Sequence, residues 1–438
     1  MEAALPTMRD EQQLVKRVMW RLLPLVALCY LAAVIDRGNV GFAKLQMTAD
    51  LRMTEQQYAL GASFFFIGYV FCEIPSSLAV HRFGARIWFA RIMLTWAIAN
   101  VLIAFAFSGI SFAVLRLLLG IAEAGLFPGA LYFLTLWFPQ RYQARAVALL
   151  QLGSALGQAL SALISGPLLD FNGVLVRAGW QWVFIGTSIP PLLLVIAVYF
   201  LLPDRPSEAN FLSLDEKAQL TAAIARDKPN PVIHGNPLAA LWDYRVLFFA
   251  LVYSLILTAL YGVIYWLPTV IRGFGVSGTQ NGVLTAIPWA LSALVLVCIP
   301  ARLGHARSIT LAIAATALFG ATAFVLSFVL STNLQLYVAL SLGTPAITMV
   351  IALFWSMPSR FFAGARAAAS ISAISTLGNL GGFFAPNLMP WANQITGRAL
   401  GSMLVPGACL AVIGAGAILF WATTPKADVT GGKQGFET

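Results

Sequence analysis

Twelve long apolar runs constrain this chain more than anything else in it. They cover residues 18–43, 56–79, 87–107, 110–136, 146–168 and 181–202, then 246–270, 280–300, 308–329, 333–356, 368–390 and 400–422. A helix needs about 20 apolar residues to cross a bilayer, and backbone groups find partners there only inside helices or a closed barrel. The runs are continuous rather than alternating, so helices are expected. With 59% hydrophobic and 10% charged residues, the chain has too much apolar surface for a water-soluble fold to cover. The expected class is an all-α membrane protein with lipid as its main solvent.

The formal net charge of +10 does not point to a nucleic-acid partner, because the basic residues are segregated. With the N-terminus placed in the cytoplasm, most of the 27 Lys and Arg fall in loops on that side, in clusters such as Arg9, Lys16, Arg17 and Arg21. The opposite side, or the span ends nearest it, holds Lys44, Arg52, Arg177, Arg272 and Arg398. This asymmetry predicts cytoplasmic termini. The polar N-terminal stretch lacks a cleavable-signal pattern, so the first span is expected to direct insertion. Cys29, Cys72, Cys298 and Cys409 lie in apolar segments without metal-ligand spacing and read as packing thiols.

One long polar interval separates six spans from six, and it predicts an N-terminal bundle (1–202), a cytoplasmic linker (203–245) and a C-terminal bundle with a tail (246–438). In the linker, Ser213 and Glu216 have the spacing of a capping box for a short surface helix. The halves resemble each other. Arg82-Phe-Gly84-Ala-Arg86 recurs as Arg302-Leu-Gly304-His-Ala-Arg307, and Pro139, Arg141 and Arg145 recur as Pro358, Arg360 and Arg366. An offset of about 220 residues in equivalent loops indicates a parallel duplication of six-helix units, a plan that suits alternating access about a midplane site.

Charges inside spans are costly, at roughly 2.5–3.5 kcal/mol each on insertion scales. Span one nevertheless contains Asp36 and Arg37, and span four contains Arg116 and Glu123. The latter two are seven residues apart, about two helical turns and roughly 10.5 Å, so they share one stripe. Arg116 lies toward the outer half, at a depth comparable to Asp36 and Arg37. If spans one and four face a cavity, two guanidiniums and two carboxylates converge on it. One reading is a salt-bridge network that locks the bundle. The other is an anion site: guanidiniums select a carboxylate, and the acids compete for them until protonated. Glu73, near the cytoplasmic end of span two, reads as structural or gating, within reach of water or Arg82.

The stretches IDRGNVGFA, LRLLLGIAEAGLFPG, WFPQRYQARA, FNGVLVRAGWQWVFI and LGNLGGFFAP together resemble the anion:cation symporter family of the major facilitator superfamily, with the carriers of tartrate, phthalate, hydroxyphenylacetate and related carboxylates nearest. The resemblance runs through nearly the whole chain. It implies a twelve-helix, proton-coupled importer of organic anions. Asp36 and Glu123 match the family's proton-carrying acids, and Arg37 and Arg116 its substrate-linked arginines. Tyr69 and Asn379 match its polar contacts to the anion. Arg82 and Arg86 belong to the superfamily's loop motif, but His81 stands where that motif carries an acid, leaving Glu73 as a substitute for the charge lock between bundles. Ala301 precedes Arg302 in the counterpart loop. Gly166-Pro167 resembles an antiporter motif with different flanking spacing.

The expected partners are a small organic anion, protons and the bilayer of a bacterial inner membrane, with a monomer as the working unit and no cofactor or metal. The alternative in the same class is an organic-anion facilitator or exchanger without proton coupling. An enzyme would need a nucleophile with its base or a metal cluster, and His81, His234 and His305 all fall in loops outside any such cluster. A receptor would bind ligand without accumulating it, and nucleotide-driven transport would need a phosphate-binding loop that the sequence lacks. Tyr261, Tyr265 and Trp266 on span seven read as interface aromatics before cavity-lining ones.

Overall fold

The computed structural model describes residues 8–226, 243–298, 306–358, 362 and 365–423. The loop Arg302–Arg307 apart from its last two residues, Arg360, His234, His305 and the C-terminal tail lie outside them. The helices in chain order are α1 (Met8–Asp50), α2 (Glu55–Phe83), α3 (Ala85–Ile103), α4 (Gly109–Glu123), α5 (Leu126–Trp137), α6 (Gln140–Asp170), α7 (Gly179–Thr187) and α8 (Ile189–Leu201). They continue with α9 (Leu214–Arg226), α10 (Tyr244–Arg272), α11 (Gly278–Cys298), α12 (Ala306–Val329), α13 (Asn333–Phe354), α14 (Ala365–Gly378), α15 (Leu380–Thr396) and α16 (Leu404–Thr423).

Among the described residues, 11 helical stretches are long and apolar enough to cross a membrane. The remaining expected span, 368–390, falls on α14 and α15, which are interrupted at Asn379 and individually too short to qualify. Two other spans are also composite. Span four breaks between α4 and α5 at Gly125, whose φ of 89° is left-handed, and span six breaks between α7 and α8 at Ser188, just before Pro190 and Pro191. Large apolar side chains such as Phe71, Phe107 and Leu193 face outward, as lipid-covered surfaces require. Of the four cysteines, Cys29 and Cys409 are buried, Cys72 is half-buried and Cys298 is exposed, so packing inside the protein describes only part of the set.

The chain divides into two compact units, one comprising 1–233 with 275–286 and the other 234–274 with 287–438. In the first, α1 packs on α6 and α7, α2 on α4, and α3 on α4 and α8. In the second, α12 packs on α13 and α16, and α10 on α14, α15 and α16. The α2–α4 contact is a backbone-to-backbone one. A Cβ at Gly120 would collide with the Phe65 carbonyl, and one at Gly68 with the Leu117 carbonyl. Two glycines therefore set the distance between the helices that carry Tyr69, Arg116 and Glu123.

The first part of the expected linker belongs to the first unit. Ser213 and Glu216 form the predicted capping box, with Glu216 N–H donating to Ser213 Oγ at 3.2 Å and Ser213 N–H to Glu216 Oε2 at 2.9 Å. The helix they start, α9, turns Leu220, Ala223 and Ile224 inward and packs on α1 and α5. Charges pin it: Arg17 pairs with Glu216 at 2.5 Å, while Glu11 pairs with Arg141 and, at 3.5 Å, with Arg226. The Ser213 amide, together with Arg17, holds the Glu216 carboxyl below its ordinary range.

Two outcomes are expected. Gly120→Leu should force α2 from α4 and lower the thermal unfolding midpoint in detergent, since overpacking typically costs about 1–3 kcal/mol or more. A folded-state pKa depressed below the unfolded one stabilises above the unfolded value and stops doing so as pH falls through the folded one. Limited proteolysis of α9 should therefore accelerate below about pH 4, and Glu216→Gln should show the faster rate already at neutral pH.

Candidate functional site

Arg37 and Glu123 form the centre. Arg37 Nε and Nη2 both donate to Glu123 Oε1 at 2.7 Å, while Glu123 Oε2 is buried without a hydrogen-bond partner among the described residues. Glu123 is fully enclosed, whereas the Arg37 side chain is 15% exposed, so the pair is open only on its cationic side. The position of Glu123 follows from the local chain: it is the last residue of α4, and the left-handed Gly125 that follows lets α5 restart against Ser76, where a Cβ would collide.

Phe65 and Tyr69, one turn apart on α2, form an aromatic wall. The Arg37 guanidinium lies 4.9 Å from the Tyr69 ring and 5.7 Å from Phe65, and the Arg116 guanidinium lies 4.7 Å from Phe65. One ring thus faces two cations, a desolvated arrangement in which cation–π attraction is strongest. Arg116, fully buried, also donates from Nη2 to the Ala62 carbonyl at 3.5 Å. The predicted stripe on span four is present, with both of its charges directed inward.

Asp36 does not join this group in the way the sequence led us to expect. Successive helix residues point about 100° apart, and Asp36 turns toward α3 and the α7–α8 junction. Its Oδ1 accepts from Asn39 Nδ2 at 3.3 Å and Asn100 Nδ2 at 3.0 Å; it makes no ion pair among the described residues. Thr187 Oγ1 lies 2.9 Å from Asn39 Nδ2 and 3.1 Å from Asn100 Nδ2, and Ser188 Oγ lies 3.0 Å from the latter. All five side chains are buried. The convergence of four ions is therefore one pair with a second guanidinium beside it, plus a separate carboxylate in an amide pocket. Sequence reading missed Asn39, Asn100, Thr187 and Ser188. Asn39 carried a signal, since three residues after Asp36 it shares that residue's helix face.

The remaining candidates are dispersed. Glu73 is buried, whereas Arg82 is exposed and lies over the Phe83 ring at 5.4 Å. The acid that meets the α2–α3 loop is Asp204, just past α8: its Oδ1 accepts the Arg86 amide at 2.8 Å. Asn379 sits in the second unit at the α14–α15 break, half-buried, its N–H bonded to the Ser375 carbonyl at 3.0 Å. Tyr261, Tyr265 and Trp266 are buried within α10 of that unit rather than exposed as an interface belt. No cluster of His, Cys, Asp and Glu suited to a metal ion occurs among the described residues.

The sequence profile of the Major Facilitator Superfamily matches residues 26–386. A quinolone resistance transporter of Acinetobacter baumannii is 37% identical over 398 residues, covering 89% of this chain and 90% of that protein. A protein of Agrobacterium vitis named for tartrate transport is 35% identical over 424 residues, covering 97% of each. Among solved structures, the inward-open xylose transporter XylE of E. coli superposes with a TM-score of 0.73 at 15% identity, covering 95% of this chain and 98% of that one, a likeness of fold.

Breaking a buried pair from one side strands a charge at a cost of about 3–5 kcal/mol, whereas apolar replacement of both partners is often neutral. Arg37→Leu should therefore destabilise the protein clearly more than Arg37→Leu with Glu123→Leu, as read by thermal unfolding in detergent. Equal losses would mean that the pair is not energetically coupled.

Proposed function

The chain belongs to the Major Facilitator Superfamily, and from that premise we propose that it imports a small organic carboxylate by proton symport with alternating access. Its class is that of a multi-pass membrane transporter, not an enzyme. The observation that carries the finer reading is the Arg37–Glu123 pair, in which a protein carboxylate occupies the place on a partly open guanidinium that a carboxylate substrate would take.

Protonation of Glu123 removes its charge and releases Arg37. The freed guanidinium takes the substrate carboxylate in a bidentate grip, and Arg116 adds a second positive charge behind Phe65. Tyr69 supplies a wall against which the substrate packs. Asp36 takes a second proton within its amide pocket, coupling the ion to α3 and the α7–α8 junction instead of to the arginines directly. After release of the substrate and of both protons, Glu123 re-forms the pair, and the empty carrier returns with Arg37 neutralised by Glu123.

Electrical arithmetic supports the coupling. Moving one elementary charge across 100 mV changes the free energy by about 2.3 kcal/mol. An anion entering a negative interior therefore needs a companion proton per charge to avoid opposing the potential. The Agrobacterium vitis relative, by its name, supports a hydroxy-acid among the substrates to test. We assign the carrier to a bacterial inner membrane with both termini cytoplasmic, as the distribution of basic residues supports.

The test is uptake of radiolabelled aliphatic hydroxy-acids, sugar acids and aromatic acids into proteoliposomes, with and without an inward proton gradient. One class should accumulate in response to the gradient. Arg116→Ala should abolish that uptake, and Glu123→Gln should leave counterflow exchange while losing gradient-driven accumulation. Uptake indifferent to the gradient would instead make the protein a facilitator or exchanger. Asn100→Leu should impair gradient-driven uptake without weakening substrate binding, since Asn100 touches Asp36 and not Arg37.

A further inference from the structure

At the end of the first unit that carries the linker, a cleft of about 330 Å³ opens beside the last turn of α8. Arg21 and Arg86 line it, together with Glu208, Phe211, Phe200 and Leu201. Neither arginine is ion-paired among the described residues. The Arg21 guanidinium lies 5.8 Å from the Phe211 ring, and Arg86 Nε is buried without a hydrogen-bond partner. Asp204, the nearest acid in sequence to the cleft wall, directs Oδ1 to the Arg86 backbone amide at 2.8 Å. Two arginines and one acid, Glu208, thus line the cleft, with no ion pair among the three in the described residues.

The apolar side of the cleft is equally uneven. Phe200 is 76% exposed and Leu201 62%, and both belong to a membrane-spanning stretch that ends at Leu201. Exposed apolar side chains at the end of a span adjoin acyl chains, and the arginines beside them lie at the depth of lipid head groups. A soluble anion would fit the arginines but leave Phe200 and Leu201 unused. A basic pocket at the boundary of a span matches lipid phosphate instead.

We propose that this cleft binds the phosphodiester of a membrane glycerophospholipid whose head group carries an N–H or O–H donor. Arg21 and Arg86 hold the phosphate, Glu208 accepts the head-group donor, and Phe200 and Leu201 lie along the acyl chains. Phosphatidylglycerol and phosphatidylethanolamine satisfy all three contacts. Phosphatidylcholine, whose trimethylammonium has no donor, satisfies only two.

Native mass spectrometry of the full chain, released from detergent containing equal amounts of these three lipids with matched acyl chains, tests the assignment. The wild type should retain phosphatidylglycerol and phosphatidylethanolamine several-fold over phosphatidylcholine. Arg21→Ala, a change at an exposed position, should lower retention of both by about tenfold, the scale of one lost charge-assisted contact. Glu208→Gln should reduce the preference over phosphatidylcholine, and Arg177→Ala, beside Phe105 and away from the cleft lining, should change nothing. Should Arg86→Ala fail to fold, Arg21→Ala decides alone. Equal retention of all three lipids by the wild type, or unchanged retention in Arg21→Ala, would overturn the proposal.

Discussion

Desolvation of charge governs the architecture of the first unit. In the Arg37–Glu123 pair two N–H groups of one guanidinium converge on a single carboxylate oxygen, in an interior where stranding either charge is costly. The surroundings limit part of that cost: Phe65 and Tyr69 offer π-faces to the cation and only the Arg37 side keeps an opening, while Glu123 Oε2 stays without a hydrogen-bond partner among the described residues. A pair built in this way is stable while intact and costly when half-broken. That asymmetry is what a switch operated by a proton or an anion requires.

Placement of the pair depends on backbone geometry more than on side-chain packing. The close approach at Gly68 and Gly120 brings α2 against α4, and the left-handed Gly125 ends α4 at Glu123. Fully buried aromatics such as Trp96, Phe112 and Trp137 then fill the space between helices. With the site resting on rigid helix contacts, its side chains are positioned without recourse to loops, which suits recognition that must survive a change of conformation.

Much of this was legible in the sequence. Apolar run lengths located the spans, and the seven-residue interval from Arg116 to Glu123 placed both charges on one inward stripe. The capping box at Ser213 and Glu216 announced α9. The separation of Asp36 from Arg37 was not legible, because the rotation of a helix about its own axis depends on which neighbours it meets. Asn100 lies 64 residues from Asp36, and a single amide in an apolar run carries no signal of its partner. Asp204 was not legible for a similar reason: it reaches the Arg86 amide across 118 residues of chain. The break at Ser188 had a marker in Pro190 and Pro191, since residues before proline disfavour helical backbone.

Helix α1 is 43 residues long, about twice what a bilayer crossing needs. Its N-terminal end carries Glu11 and Arg17, which are fastened to Arg141, Arg226 and Glu216, while farther along the same helix come Asp36 and Arg37. One helix, with Pro24 between the two groups, therefore bears both the exposed ion pairs that fasten α9 and the buried charges. Salt screens the exposed group and hardly touches the buried one, so the outer fastening of this helix can be loosened while its buried charges keep their partners.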